Sequence, residues 1–199
     1  MAEITAGLVK QLRDKSGAGM MECKAALGET GGDLDEAMVV LRKKGAVAAQ
    51  KKSSRATKEG MVDSYIHAGG KIGVLVEVGV ETDFVARGDD FRSFCHELAM
   101  QVAASAPRWV TREQVPAELI EQEKAIYADQ VKDKPEHVVE KIVNGKLDKF
   151  FQENCLMEQP WVRDTAMSIE QLRTDLVGKI RENVEVRRFA RFQLGEIED

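Results

Sequence analysis

The chain has 199 residues, of which 43% are apolar and 32% are charged, and its formal net charge is −5 at pH 7. This composition is typical of a globular protein with one medium domain or two small ones, and the acidic balance argues against a general binder of nucleic acid or anionic membranes. No stretch has the roughly 18 consecutive apolar residues that a membrane span needs, and the N-terminus lacks the pattern of a secretory signal.

The first 45 residues predict three short helices joined by tight turns. The first helix has apolar residues at helical spacing and ends at the Ser/Gly-rich stretch DKSGAG, and the second ends before a Gly-Gly pair. The third begins with Asp33 as N-cap and Glu36 at the spacing of a capping box, and we expect it to end at Gly45. Residues 1–45 are therefore predicted to form a three-helix domain.

Residues 46–60 are predicted to be a linker that is helical at its start and looser after Ser53. They contain few bulky apolar side chains and four cations: Lys51, Lys52, Arg55 and Lys58. A basic run of this kind is more often a solvated connection than a nucleic-acid site.

The hydrophobic period then changes from 3.6 to 2, which indicates β-strands. The stretch MVDSYIHAGGKIGVLVEVGV predicts two strands joined by a two-residue loop at Gly69 and Gly70, because primed hairpin turns need positive φ. One face of the second strand is apolar and is expected to meet a core: Ile72, Val74, Val76, Val78 and Val80. Near the C-terminus, VEVRRFARFQLGE predicts a third strand, with these apolar residues on one face: Val184, Val186, Ala190, Phe192 and Leu194.

Further helices are predicted around these strands. One runs to about Ser105 and has an apolar stripe: Phe91, Phe94, Leu98 and Val102. Pro116 and Pro135 each open another helix, and the short link between these two helices predicts a helical hairpin at about 116–156. Residues 157–167 are interpreted as irregular, and Ser168 with Gln171 has the spacing of a capping box.

The expected fold is therefore α+β. A three-helix module comes first, followed by a core domain at 61–199. We expect that domain to contain a small three-stranded antiparallel sheet, helices packed on it and the helical hairpin.

The residues do not predict an enzyme or a cofactor. His67, His96 and His137 lack the spacing of metal ligands, and the chain has neither a phosphate-binding G-x-x-x-x-G-K-[ST] loop nor a dinucleotide fingerprint. The neighbours Cys95 and His96 point about 100° apart on a helix, so they do not form a nucleophile–base pair. The three widely spaced cysteines favour a reducing compartment over a disulfide framework or a zinc site, and we expect a cytoplasmic protein.

Several residues have two possible interpretations. Residue type alone favours a buried Phe84, one buried methionine of the pair Met20 and Met21, an Asp83 that stabilises a turn, and a solvated His67. The alternative is that they form contact surfaces: methionines are adaptable in interfaces, and a Phe at the end of a strand could be pushed into another protein.

Four stretches in order along the chain favour the second interpretation. TAGLVKQLRDKSGAGMMECKAAL, HAGGKIGVLVEV, ETDFVAR and RRFARFQLGE together resemble translation elongation factor Ts, in its short bacterial form. The resemblance implies that the three-helix module is similar to the UBA fold. It also implies a guanine-nucleotide exchange factor, not an enzyme, that binds elongation factor Tu in its GDP-bound and nucleotide-free forms. No direct contact with nucleic acid or membrane is implied.

The same resemblance assigns roles to individual residues. The T-D-F-V-A motif is the exchange element of the family, which implies that role for Thr82, Asp83, Phe84 and Val85. The docking residues that match the family are Arg13, Met20 and Met21 in the three-helix module, and His67 and Gly69 in the H-x-G-G hairpin.

The chain departs from the longer members in one respect. They have two α/β subdomains, whereas this sequence has one three-stranded unit, so we expect a homodimer, with the helical hairpin and the last strand as candidate dimer surfaces. An adaptor that uses its UBA-like module without exchange activity remains the alternative. Two more distant alternatives are a thiol enzyme that depends on Cys95 and a nucleic-acid binder that depends on the basic run at 51–58.

Overall fold

The structure is a computed structural model that describes residues 4–196. In that range the helices are α1 (Ala6–Ser16), α2 (Met20–Glu29), α3 (Leu34–Lys52), α4 (Asp83–Ala86), α5 (Asp89–Ser105), α6 (Ala117–Asp129), α7 (Glu136–Asn154) and α8 (Ile169–Ile180). The strands are β1 (Glu59–Ile66), β2 (Ile72–Val80), β3 (Pro160–Trp161), β4 (Asp164–Ser168) and β5 (Val184–Gln193). Strands β1, β2 and β5 form an antiparallel sheet with β2 in the centre, which confirms the predicted α+β class.

The chain divides into two units. The first contains the residues up to Val62 together with Glu77–Cys95 and Gln171–Val186, and the second contains Asp63–Val76, His96–Glu170 and the residues from Arg187 onward. Among the described residues, none of the helices combines the length and the apolar character needed to cross a membrane.

The three predicted N-terminal helices are confirmed. The side chain of Thr5 caps α1, Gly17 ends it with a left-handed φ of 66°, and Asp33 caps α3 by accepting hydrogen bonds from the N–H groups of Asp35 and Glu36. The three helices enclose one cluster of buried residues: Val9, Leu12, Cys23, Ala26, Leu27 and Ala37. This arrangement fits a UBA-like module.

Helix α3 does not end at Gly45, as the sequence had predicted, but continues to Lys52. A glycine inside a helix costs about 1 kcal/mol relative to alanine. Three of the four residues that follow it are alanines, which have the highest helix propensity, and Ala49 is buried. The predicted linker is therefore helical in its first half, and it is irregular only between Ser53 and Lys58.

The β1–β2 hairpin is confirmed, but its loop is longer than predicted. The N–H of His67 donates to the carbonyl of Ile72 at 2.9 Å, so four residues separate the closing pair. Gly69 and Gly70 both have positive φ, as expected, while the N–H of Gly70 makes a tight turn on the carbonyl of His67. The turn from His67 to Gly70 thus lies inside a wider loop, so the two strands are not joined by a two-residue turn.

The predicted core faces of β2 and α5 are buried. They contribute these residues: Val74, Val76, Val78, Val80, Phe91, Phe94, Leu98 and Val102. In β5 the prediction holds only for the first half, because Val184 and Val186 are buried whereas Phe192 and Leu194 are 69% and 76% exposed. After Val186 the alternation of buried and exposed residues slips by one position. Such a slip moves each following side chain to the opposite face of the sheet.

The helical hairpin is formed by α6 and α7, with Pro116 and Pro135 immediately before them. Its buried cluster contains Val115, Val143, Leu147, Phe150, Phe151 and Cys155. The segment after it is not irregular as predicted, because β3 and β4 pair antiparallel there. Gln159 is buried at the start of this pair and donates to the carbonyl of Glu153 at 2.9 Å, and Gln101 donates to the Gln159 Oε1 at 3.1 Å.

Phe91 is fully buried and Phe84 is largely exposed, so their replacement by alanine should affect the free energy of unfolding differently. Phe91→Ala removes a fully buried ring and is expected to lower the free energy of unfolding by about 3–5 kcal/mol. Phe84→Ala removes a ring that is 83% exposed and is expected to change it by less than about 0.5 kcal/mol. Urea denaturation followed by circular dichroism measures both, and equal losses for the two variants would contradict the assigned burial.

Candidate partner-binding site

The predicted exchange element is the short helix α4 with the threonine before it. Thr82 is the N-cap, and its hydroxyl accepts a hydrogen bond from the N–H of Val85 at 3.4 Å. The side chain of Phe84 is 83% exposed, so the burial favoured by residue type is wrong. An exposed aromatic side chain of this size is available to contact another molecule.

The carboxylate of Asp83 lies beside this ring on the same helix. It accepts a hydrogen bond from the Nη2 of Arg87 at 2.8 Å, and both side chains are largely exposed. Asp83 thus forms an ion pair across one helical turn, and not the turn-stabilising bond to its own backbone that residue type favours. Exposed pairs of this kind contribute little to stability, so the carboxylate can change partner at a small cost.

The predicted docking residues of the three-helix module are also exposed. Met20 and Met21 begin α2 and are 55% and 76% exposed, so the expectation of one buried methionine is wrong. Arg13 is exposed near the end of α1. Two neighbouring flexible apolar side chains at the surface are typical of an adaptable contact patch.

Three consecutive residues between α8 and β5 contact several parts of this unit: Arg181, Glu182 and Asn183. We call them the connector. The Nη2 of Arg181 donates to the Oε2 of Glu22 in α2 at 2.6 Å. The same carboxylate oxygen accepts the N–H of Gly19 at 3.1 Å, so the start of α2 is fixed at the connector.

This contact lowers the pKa of Glu22. Burial by itself raises that pKa, but the hydrogen bonds from Arg181 and from the Gly19 N–H, together with the charge of Arg181, outweigh it. The ionised form of Glu22 is therefore the one that holds α2.

The next two connector residues contact the exchange element and the irregular end of the linker. The carboxylate of Glu182 accepts the N–H of Thr82 at 3.0 Å and its hydroxyl at 2.7 Å. The backbone N–H of Asn183 donates to the Oε1 of Glu81 at 2.7 Å, and its buried amide donates to the carbonyl of Arg55 at 2.9 Å. Sequence reasoning missed the connector because its partners are distant along the chain; its one local signal is a polar triplet between a helix and a strand.

The hairpin residues His67 and Gly69 belong to the other unit. Both are exposed, and the Nδ1 of His67 is hydrogen-bonded to the hydroxyl of Tyr65 at 3.0 Å. Beside His67 lies a cavity of about 340 Å³ whose walls include Met100 and Arg191. The structure therefore places an aromatic pair and a cation next to the hairpin loop.

The family follows from comparison with known proteins. The family model described as Elongation factor TS matches residues 9–196 of the chain. The chain belongs to the elongation factor Ts family. This membership places it among the elongation factors of protein biosynthesis and confirms the resemblance seen in the sequence.

Individual relatives agree with this membership. An elongation factor Ts from Anaeromyxobacter sp. (strain Fw109-5) is 57% identical over 198 residues, which cover 98% of this chain and 90% of that protein. One from Fervidobacterium nodosum is 54% identical over 196 residues, which cover 98% of this chain and 100% of that protein. One from Thermotoga neapolitana is 53% identical over 194 residues and 98% of each chain.

The cysteines of this elongation factor Ts family member are all buried, and none forms a disulfide bond. Burial, together with the charge of Glu158, raises the pKa of the Cys155 thiol to about 11, so at neutral pH it is a protonated thiol and not a nucleophile. Among residues 4–196, no group of three or more His, Cys, Asp or Glu side chains is arranged to hold a metal ion.

Acid should weaken the contact between Glu22 and Arg181. Because the pKa of Glu22 is below its ordinary value of 4.5 in the folded chain, this contact contributes stability above that pH and loses it as the pH falls. The free energy of unfolding of Glu22→Gln should therefore depend less steeply on pH than that of the wild type below about pH 4.5. Urea denaturation over a pH series measures both slopes. A wild-type slope for Glu22→Gln would contradict the assignment.

Proposed function

We propose that this chain is the guanine-nucleotide exchange factor for elongation factor Tu. It binds that GTPase in its GDP-bound and nucleotide-free forms and promotes the release of GDP. The observation that carries the proposal is the ring of Phe84, which is 83% exposed on a four-residue helix whose N-cap is fixed by Glu182. As a member of this translation factor family, the protein would act in the cytoplasm.

The proposed mechanism acts on the way a GTPase holds its nucleotide. Phosphate-binding loops cradle the phosphates, and the Mg²⁺ bound there needs near-ideal octahedral geometry. A small displacement of the groups around the ion therefore weakens nucleotide binding. Phe84 would enter between elements of the GTPase domain near this site, while Asp83 would leave Arg87 and accept a hydrogen bond from the partner.

The burial energy of Phe84 is large enough to account for part of the proposed weakening of nucleotide binding. Burial of one Phe side chain contributes about 1.5–3 kcal/mol, and a tenfold change in affinity corresponds to about 1.4 kcal/mol. Phe84 alone could thus weaken nucleotide binding by about one to two powers of ten. A larger effect requires binding energy from the docking surfaces.

We assign that docking energy to the exposed residues that match the family. Met20, Met21 and Arg13 would bind the GTPase domain, and His67 with Gly69 would bind another domain of elongation factor Tu. The two methionines and the exchange element belong to the same unit of the chain, which supports their joint action on one partner domain.

This action needs no covalent chemistry, so we propose a factor and not an enzyme. Coupling between two ligands is reciprocal: if the factor weakens nucleotide binding by some ratio, the nucleotide weakens factor binding by the same ratio. Binding of GTP to elongation factor Tu would then release the factor.

Removal of the ring at position 84 tests the mechanism. Phe84→Ala should lower the maximal rate of GDP release from elongation factor Tu by about tenfold or more, because the energy of inserting the ring is lost. Its affinity for nucleotide-free elongation factor Tu should change less, since the docking residues remain. Stopped-flow release of a fluorescent GDP analogue and calorimetric titration measure the two quantities.

Ile126→Ala is the matched control, because it removes an exposed apolar side chain from the helical hairpin. With this variant, GDP should leave elongation factor Tu at the same rate as with the wild-type chain. A wild-type rate for Phe84→Ala would reject the mechanism. A stable complex of the wild-type chain with elongation factor Tu that does not accelerate release would instead favour an adaptor.

We also propose that the chain forms a homodimer through its three-stranded sheet. In the second unit, all three strands or their ends contribute exposed apolar side chains: Ile66, Leu75, Phe192 and Leu194. A patch of this kind on an isolated chain is typical of an interaction surface. A second copy fits it, because a two-fold interface uses the same patch on both chains.

Charges introduced into this patch should separate the dimer. Phe192→Glu is expected to shift the wild-type dimer to a monomer in sedimentation equilibrium, because an unpaired carboxylate would be buried in the interface. Val47→Glu, on the exposed side of α3, should leave the mass unchanged. A monomeric wild type at the concentrations that support exchange would contradict the homodimer.

A further inference from the structure

Helix α4 has little packing of its own to hold it in place. It is four residues long, Asp83 and Phe84 are exposed, and Val85 and Ala86 are only half-buried. A helix this short is not stable alone in water. The direction in which Phe84 points therefore depends on the groups that fix the ends of α4.

The N-terminal end is fixed by a carboxylate. Glu182 accepts both the N–H and the hydroxyl of Thr82, at 3.0 and 2.7 Å. With its hydroxyl hydrogen given to Glu182, Thr82 still accepts the N–H of Val85 at 3.4 Å and so caps the helix. Hydrogen bonds to a carboxylate are stronger than those between neutral groups, so this contact restrains the start of the element.

The neighbouring residues Glu81 and Asn183 form a second contact of this kind, in which the carboxylate comes from the other segment. Glu81 accepts the backbone N–H of Asn183 at 2.7 Å, so each of the two segments supplies one carboxylate to the backbone of the other. On the other side of Glu182, Arg181 binds Glu22 at 2.6 Å. Arg181 has a φ of 65°, a left-handed conformation that is uncommon for residues other than glycine and needs support from surrounding contacts.

We propose that Glu182 is the positioning residue of the exchange element, and that the connector fixes Phe84 relative to Met20 and Met21. The inference rests on the proposed function. If α4 could turn freely, the Phe84 ring would move aside on contact and the partner would keep its geometry. Because α4 and the start of α2 are both attached to consecutive residues, docking through the methionines instead places the ring in a fixed direction.

Glu182→Ala tests this role. The variant should lower the maximal rate of GDP release by about tenfold, as expected for the loss of hydrogen bonds to a charged group, and should leave the half-saturating concentration of the factor near the wild-type value. A residue that served only general stability would change both parameters together. Thermal unfolding of the variant shows whether the fold is retained.

Glu182→Gln is the conservative variant. Its amide oxygen can accept the N–H of Thr82 while its NH₂ group donates to the threonine hydroxyl, so we expect it to restore most of the maximal rate. Thr82→Val removes the hydroxyl from the other side of the contact. If both changes act through the same hydrogen bonds, the double variant Thr82→Val/Glu182→Ala should lose little more than the worse single variant.

Hydrogen exchange of the backbone amides gives a readout that does not depend on activity. The N–H groups of Val85, Ala86 and Arg87 are hydrogen-bonded within the capped turn and should exchange faster in Glu182→Ala but not in Glu182→Gln. A wild-type maximal rate or unchanged amide exchange in Glu182→Ala would overturn the positioning role and leave the proposed function intact. Absence of any acceleration by the wild-type chain would overturn the proposed function and, with it, this role for Glu182.

Discussion

Two hydrogen bonds from Thr82 to the carboxylate of Glu182 hold the start of the short helix that carries the exposed Phe84 ring. Packing on α4 is limited, because Val85 and Ala86 are only half-buried while Asp83 and Phe84 are exposed. An aromatic side chain can displace part of a partner only when the backbone that carries it is itself held in place. On α4 the polar contacts at the helix end supply this support without covering Phe84, which stays 83% exposed.

The proposed function separates docking from exchange on one surface, and the contacts in this unit are compatible with that separation. Met20 and Met21 expose flexible apolar area, whereas Phe84 lies on a helix whose N-cap is hydrogen-bonded to Glu182. The connector joins both through polar side chains, and the two side chains of the Arg181–Glu22 ion pair are each about half exposed. A hydrophobic link at this place would have to cover side chains that the proposed function assigns to contact with elongation factor Tu.

The sequence predicted those features that depend on local chemistry. Asp33 as a cap, the alternating valines of β2 and the stripe of α5 all follow from periodicity or capping within a short window. The extension of α3 beyond Gly45 was missed because local propensity exceeded the cost of one glycine. The β3–β4 pair and the connector were missed because their stabilising partners, such as Gln101 for Gln159 or Thr82 for Glu182, lie far away in the chain. Phe84 shows a different limit: residue type favours burial, and only the family motif indicated a contact surface.

The continuous helix α3 has a consequence for motion. Its 19 residues form a rod of about 28 Å that begins in the three-helix module and ends at Ser53, whose carbonyl accepts the side-chain amide of Asn183 at 3.3 Å. The module is therefore joined to the connector by a stiff segment at one end and by the Arg181–Glu22 ion pair at the other. The three-helix module should therefore share the rotational diffusion of its unit and should not reorient independently of it.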